Sequence, residues 1–405
     1  MSGRGGLGET SMSDALTVRI VRSIGEVPAE AWDACANPPN LGVDEGGGER
    51  FNPFIAHAFL RALEDSRSVA GRSGWTPAHV LVEDPGGRLV AAAPTYVKAH
   101  SQGEYVFDHS WADAYRRAGG RYYPKIQVAV PFTPVSGRRL LVAREAPDGA
   151  LEALVAGLRA LREAAGASSI HVTFPDRRDC ETLRRAGFLL RAGEQFHFVN
   201  EGYRDFDDFL GALASRKRKA IKRERREALS DGVAVELLTG SDIKSGHWDA
   251  FFTFYMDTGS RKWGRPYLTR DFFDRVGASM ASRVLLIMAK QAGRYVAGAI
   301  NFIGDDALYG RNWGAIVARP FLHFEICYYQ AIEFAISRGL ARVEAGAQGD
   351  YKLARGYRPL PTYSAHEFAD PRFHQAVAAY LARERPAVDE AIAEYAERLP
   401  FRRQG

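Results

Sequence analysis

The order of strand and helix signals recurs once along this chain, and a duplicated order limits the fold more than any single motif does. In the second half, SRVLLIMAKQ (282–291), YVAGAINFIG (295–304) and ALYGRNWGA (307–315) are β-rich runs separated by the turn signals AGR and GDD. They predict an antiparallel meander. A helix over about 321–338 follows, with Phe324, Cys327, Tyr328, Ala331, Phe334 and Ala335 at helical spacing and Gly339 as its stop. LARVEAG (340–346) then reads as a strand, GAQGDYK as the loop leaving its end, and PTYSAHEF (361–368) as a further strand. Asp370 and Pro371 suit the start of a last helix, which Pro386 is expected to bend or break.

The first half repeats this order without repeating the sequence. TPAHVLVED (76–84) and RLVAAAPTYVKA (88–99) form a hairpin about PGG, and IQVAVPF (126–132) and RRLLVA (138–143) are strand candidates. A helix at about 148–165 leads to the strand SSIHVTFP (168–175), a second helix near 177–186, and the strand FLLRAGEQFHFVN (188–200). The expected class is α+β, with two tandem domains at 17–201 and 202–385, each a mixed, mostly antiparallel sheet flanked by helices. Residues 1–16 read as a disordered lead-in, and 386–405 as a C-terminal helix and tail. A length of 405 residues suits two cores rather than one.

Composition matters here mainly through charge. The net charge is +5, yet SRKRKAIKRERREA (215–228) carries eight Lys or Arg between Arg216 and Arg226 against one acid, Glu224. This run lies in the C-terminal half of a long polar helix over 205–230, whose first turn holds Asp205, Asp207 and Asp208. Arg216, Lys217, Lys219, Lys222 and Arg223 are therefore candidate anion-binding residues, for phosphate, nucleotide, tRNA or an anionic membrane surface. A solvated helix face is the plain alternative. The longest strongly apolar run, VLLIMA at 284–289, is far short of a membrane span, and residues 1–14 have no signal-peptide core. Cys35, Cys180 and Cys327 show no CxxC or zinc spacing, which points to a reducing, cytoplasmic setting with no metal and no tightly bound cofactor.

Several stretches resemble the FemAB-like family of tandem GNAT proteins, labelled in proteobacteria as peptidoglycan biosynthesis or recognition proteins, within the GNAT acyltransferase superfamily. They are NPFIAHAFLRALEDS (52–66), YYPKIQVAVPFTPVSGRRLL (122–141), the basic run, YMDTGSRKWGRPYLT (255–269), LYGRNWGA (308–315) and VEAGAQGDYKLARGY (343–357). The resemblance implies acyl or aminoacyl transfer to an amine. The donor would be acyl-CoA or acyl-carrier protein, or aminoacyl-tRNA as in FemAB-type enzymes. The acceptor would be a cell-wall precursor, or a lipid or sphingoid-base amine as in the bacterial ceramide synthases. A non-catalytic recognition module is the reading from another class. GNAT enzymes bind the CoA pyrophosphate on a glycine-bearing turn, and the matching place here, RPFLHFE (319–325), has Arg319 but no glycine.

Placed on that frame, Glu325 can receive the proton of an attacking ammonium and His323 can relay it, although a helix-dipole role for Glu325 and a packing role for His323 are as natural. Glu344, in the strand itself, is the stronger general-base candidate, because burial makes a carboxylate readier to take a proton; a structural ion pair is its alternative. Lys352 and Arg355, three apart, can present two cations on one face of a short helical turn, and with Gln348 they line the loop. Those cations suit a phosphate, a carboxylate or a tetrahedral oxyanion. Arg311 and Asn312 lie where a structural strand would alternate, and Arg311 is expected to share a face with Trp313 and to need an anionic partner. In the first half Asp108, Tyr123 and Lys125 sit among aromatic residues dense enough for a ligand groove. No Ser–His–Asp or Cys–His set is apparent, so direct attack by the amine is expected rather than an acyl-enzyme.

Overall fold

The computed structural model describes residues 15–38, 50–262, 266–346 and 349–402. In the first half the strands are β1 (Thr17–Val21), β2 (Trp75–Pro77), β3 (His79–Glu83), β4 (Leu89–Ala93), β5 (Thr95–Lys98), β6 (Lys125–Val128), β7 (Leu141–Val142), β8 (Ser169–Thr173) and β9 (Leu189–Val199). In the second half they are β10 (Ala234–Thr239), β11 (Val284–Gln291), β12 (Arg294–Ile303), β13 (Ala307–Ala315), β14 (Arg342–Glu344) and β15 (Arg358–Phe368). The predicted meander is β11–β12–β13, paired antiparallel throughout.

The expected first hairpin divides between two sheets. β3 and β4 pair with each other in a four-stranded sheet of order β1-β3-β4-β7, while β2 and β5, read as parts of the same two strands, join the large sheet. Breaks at Ala78 and Pro94 allow this, since proline cannot donate to a ladder and the chain there turns from one sheet to the other. β1 at the edge of this sheet is exposed except at Val21, but both faces of β4 are covered, so β4 is wholly apolar and buried along its length, without alternation.

The large sheet has eleven strands in the order β10-β11-β12-β13-β14-β9-β15-β8-β6-β5-β2. Its middle carries an exchange. β9, the last strand of the first half, pairs with β14 and β15 of the second, and β15, the last strand of the second half, pairs with β8 of the first. A cut after residue 201 divides the sequence but not the sheet. In each half one parallel pair stands beside the exchange, β6 with β8 and β13 with β14, and everything else in the large sheet is antiparallel.

Two helices differ from expectation. The helix read as continuous over 205–230 is two, Phe206–Ala212 and Ser215–Ala228, because Leu213 is extended and fully buried against the C-terminal segment, bridging to Phe401. The last helix runs unbroken from Pro371 to Glu397 with Pro386 inside it. Pro386 is exposed, so the carbonyl it leaves without a donor can turn to water instead of breaking the helix. Among the described residues no helix is long and apolar enough to cross a membrane.

Candidate active site

The end of the pairing between β13 and β14 sets the geometry of the site. Their parallel pairing ends at Tyr309 and Glu344, where β14 itself ends while β13 runs on to Ala315. A β-bulge follows at once on β13: Asn301 faces Gly310 and Ile300 faces Asn312, so Arg311 is the extra residue. Bulges re-aim side chains, and this one corrects the expectation that Arg311 and Trp313 share a face. Arg311 turns toward the seam between the halves, where its Nη2 donates to the Phe132 carbonyl and its guanidinium lies 5.9 Å from the Phe54 ring. Trp313 lies on the other side, 5.0 Å from the His323 ring. Gly314 completes the local shape. A Cβ there would stand 2.1 Å from the Phe254 carbonyl oxygen, so only glycine lets the helix Ser245–Lys262 approach β13 this closely.

Glu344 is buried, 3% exposed, at the end of β14. Its Oε1 accepts from Arg342 Nε at 2.9 Å, while its Oε2 has no hydrogen-bond partner among the described residues. A buried carboxylate oxygen left open in this way is costly unless something binds there. The nearest imidazole, His197 on β9, stands 4.0 Å from Oε2 and 3.2 Å from Gln195 Oε1. Burial pushes His197 below its ordinary value, with Arg342 and Lys352 adding to the shift and Glu344 opposing it, so the ring is neutral near pH 7. Burial also lowers Arg311, and the Tyr105 hydroxyl and the Glu344 charge partly offset that cost. Arg311 and Asn312 line a small cleft together with Phe59, Phe132, Phe272 and Phe302. Phe132, one of these lining residues, stacks on Tyr267, 4.5 Å apart.

Lys352 is 1% exposed and pairs with no acid among the described residues; its amine donates to the Gly346 carbonyl at 2.8 Å, and burial brings it down to about 7. Arg355 does not join it on one face, as the spacing suggested. It turns to Glu224 on the basic helix (2.9 Å) and lies 3.4 Å over the Phe324 ring, because the turn Asp350–Arg355 is a 3-10 helix packed under that helix. Gln348 lies outside the described residues.

Glu325 is not available as a proton acceptor. It is fully buried and accepts from Arg225 on the basic helix (2.9 Å) and from Gln330 (2.7 Å), so its lone pairs are occupied by structural partners. His323 sits among the rings of Trp313, Phe324 and Tyr328, which suits its packing reading. Arg319 is bound to Asp231 and to the Ser230 carbonyl, and Phe321 takes the left-handed conformation. With no glycine and its arginine engaged, this turn does not fit a pyrophosphate.

Asp108, Tyr123 and Lys125 also hold one another rather than line a groove. Lys125 Nζ donates to Glu104 (2.7 Å), Ser101 (2.9 Å) and Asp108, and the Tyr123 hydroxyl is bound to Ser101. Lys98 lies 3.7 Å over the Trp75 ring, and its burial lowers it to about 7. Behind Asp108, His171 and His366 meet Nδ1 to Nδ1 at 2.7 Å across β8 and β15, both kept neutral by burial. This buried network anchors the loop that carries Tyr105 to the seam. Of the residues around Glu344, sequence reasoning missed His197, Gln195, Tyr105 and Arg342. The alternation of Gln195 and His197 with Phe196 and Phe198 signals two faces on β9, but not that the polar face meets β14.

The FemAB-like family, described as peptidoglycan biosynthesis/recognition, matches residues 23–403. No curated protein matches the chain significantly. Among solved structures, FemX is 12% identical with a TM-score of 0.53, the match covering 89% of this chain and 100% of that one. A DUF2156 domain from Agrobacterium fabrum, the C-terminal domain assigned to lysylphosphatidylglycerol synthetase, is 11% identical with a TM-score of 0.52, covering 89% and 97%. At these identities the likeness is one of fold. The family match spans both halves and the exchanged strands between them, and the chain belongs to the FemAB-like family.

Proposed function

We propose that this protein is an N-acyltransferase that passes an acyl group from an activated donor to the amine of a lipid or cell-wall precursor. The observation that carries the reading is the open, buried Oε2 of Glu344 where the β13–β14 pairing ends, with the Arg311 guanidinium within reach of its charge. In the reaction the amine nitrogen attacks the donor carbonyl carbon, the C–N bond forms and the C–S or C–O bond breaks. Glu344 takes the ammonium proton, and the leaving thiolate or alkoxide is reprotonated. Neutral His197, its Nε2 4.0 Å from Oε2, is beyond direct hydrogen-bond reach and would pass that proton on through a bridging water. Arg311 offers a cation to the carbonyl oxygen as charge develops on it, in a site where burial strengthens the attraction. Lys352, when protonated, would serve the same end from the loop.

The donor is read as an acyl-carrier-protein thioester ahead of acyl-CoA, because the 319–325 turn does not fit a pyrophosphate. A second reading, an aminoacyl ester carried on tRNA, is favoured by the exposed cations of the basic helix. A cytoplasmic setting, from the cysteine spacing, is part of the proposal. The test is donor consumption followed by mass spectrometry, with acyl-carrier protein, acyl-CoA and aminoacyl-tRNA supplied in parallel and a lipid and metabolite extract as acceptor. A new amide that the Glu344→Gln variant fails to make, with turnover down about a hundredfold or more and donor binding retained, is the expected result. Undiminished turnover in that variant removes Glu344 from the chemistry, and no consumption of any donor favours a recognition module.

A further inference from the structure

The basic helix Ser215–Ala228 has two unlike sides. Its inner side is fixed: Ile221 and Ala228 are buried, Glu224 holds Arg355 and Tyr329, and Arg225 holds Glu325 and Glu333. Its outer side exposes Arg216, Lys217, Lys219, Lys222, Arg223 and Arg226, with one acid, Glu227, among them. Among the described residues only Lys222 of these six pairs with an acid, the exposed Asp207. Arg216, Lys219, Arg223 and Arg226 recur every three or four residues and so form one stripe, about 15 Å long at the helical rise. The C-terminal segment lengthens it. Ala214 N donates to the Pro400 carbonyl and Arg402 N to the Ala212 carbonyl, which sets the exposed Arg402 beside the start of the helix.

Six exposed cations against the single exposed acid Glu227 repel one another, and a surface that keeps them is complementary to a polyanion. We propose that this stripe adsorbs the protein to an anionic phospholipid surface. The outer face exposes no apolar side chain, which suits adsorption onto charged headgroups without insertion. A single-stranded RNA face would instead interleave aromatic rings among the cations for base stacking, and this stripe has none. Adsorption would also have a structural consequence. Glu224 ties the inner side of the helix to the turn Asp350–Arg355, so the turn bearing Lys352 would be held one helix thickness, roughly 10 Å, behind the headgroup layer.

The test is co-sedimentation of the full chain with vesicles of phosphatidylcholine alone and of phosphatidylcholine mixed with phosphatidylglycerol. Binding is expected only to the mixed vesicles, and salt should release it. Each cation contributes roughly fivefold to partitioning, so the triple variant Lys219→Glu, Arg223→Glu, Arg226→Glu should lose on the order of a hundredfold or more while melting as the wild type does. The proposal is overturned by failure to sediment with mixed vesicles at low salt, by a triple variant that binds undiminished, or by a duplex RNA that outcompetes the vesicles for the stripe. None of these readouts needs turnover, so their failure is separate from failure of the proposed reaction.

Discussion

At the scale of single residues, the most informative group is Lys352. Its amine lies at about 7 in the fold, pushed down by burial, and regains about 10.5 when the chain unfolds. Between those values the unfolded chain holds a proton that the folded chain lacks, so this lysine makes stability rise as pH increases across that window. Below pH 7 both states carry the charge, and its burial is then fully unfavourable. Lys352→Met should therefore be more stable than wild type at pH 6.5, by roughly 2–4 kcal/mol, and the gap should close by about pH 10. Urea unfolding at the two pH values measures it, and a gap independent of pH would show that the amine is not desolvated. The residue chemistry was legible only in part. Glu344 stood out as a buried strand carboxylate, whereas Glu325 offered the same residue type at an equally suggestive helix start. What separates them is whether partners fill their oxygens, and those partners, Arg225 and Gln330 for Glu325, come from tertiary packing that spacing does not encode.

At the scale of elements, the basic helix is joined to the sheet side of the protein by buried charge rather than by a broad apolar face. Arg225 and Glu325 are the clearest bond, a fork of two nitrogens on a fully buried carboxylate. Removing one partner of such a pair leaves a buried charge uncompensated. Arg225→Met should cost about 3–5 kcal/mol, while the double change Arg225→Met with Glu325→Met should recover most of that loss. Denaturant midpoints of the two variants decide it: a single variant costing under about 1 kcal/mol would mean the clamp lies elsewhere, at Glu224 and Arg355. Element types were readable from periodicity, as the β11–β12–β13 meander shows. Their ends were not. Leu213 breaks one predicted helix because the distant Phe401 pairs with it, and Pro386 fails to break another because its carbonyl partner can face water. The bulge at Arg311 is invisible in an alternation pattern, since adding one residue to a strand only looks like a lapse in the pattern.

At the scale of the whole molecule, the duplicated order was legible but the crossing of the two halves was not. Local patterns give the strands FLLRAGEQFHFVN and PTYSAHEF without saying that each will pair with the other half. The exchange has an energetic meaning. β9 and β15 run side by side from Arg358 opposite His197 to His366 opposite Leu189, and on either side each is hydrogen-bonded to a strand of the other half. A first half alone would leave β8 without β15 and β9 without either neighbour, exposing long unpaired edges that favour aggregation. The candidate site needs both halves as well, since Arg311 donates to Phe132 and Glu344 lies opposite His197. Residues 1–201 expressed by themselves should therefore be insoluble or unfolded, as should 202–405, whereas the two pieces made together should copurify as a one-to-one complex. The full chain should unfold in a single denaturant transition whether followed by fluorescence or by far-UV circular dichroism. Size-exclusion chromatography of the coexpressed pieces is the decisive measurement. A soluble 1–201 that melts cooperatively without its other half would mean that the exchanged strands add little, and that the halves are independent domains that only touch.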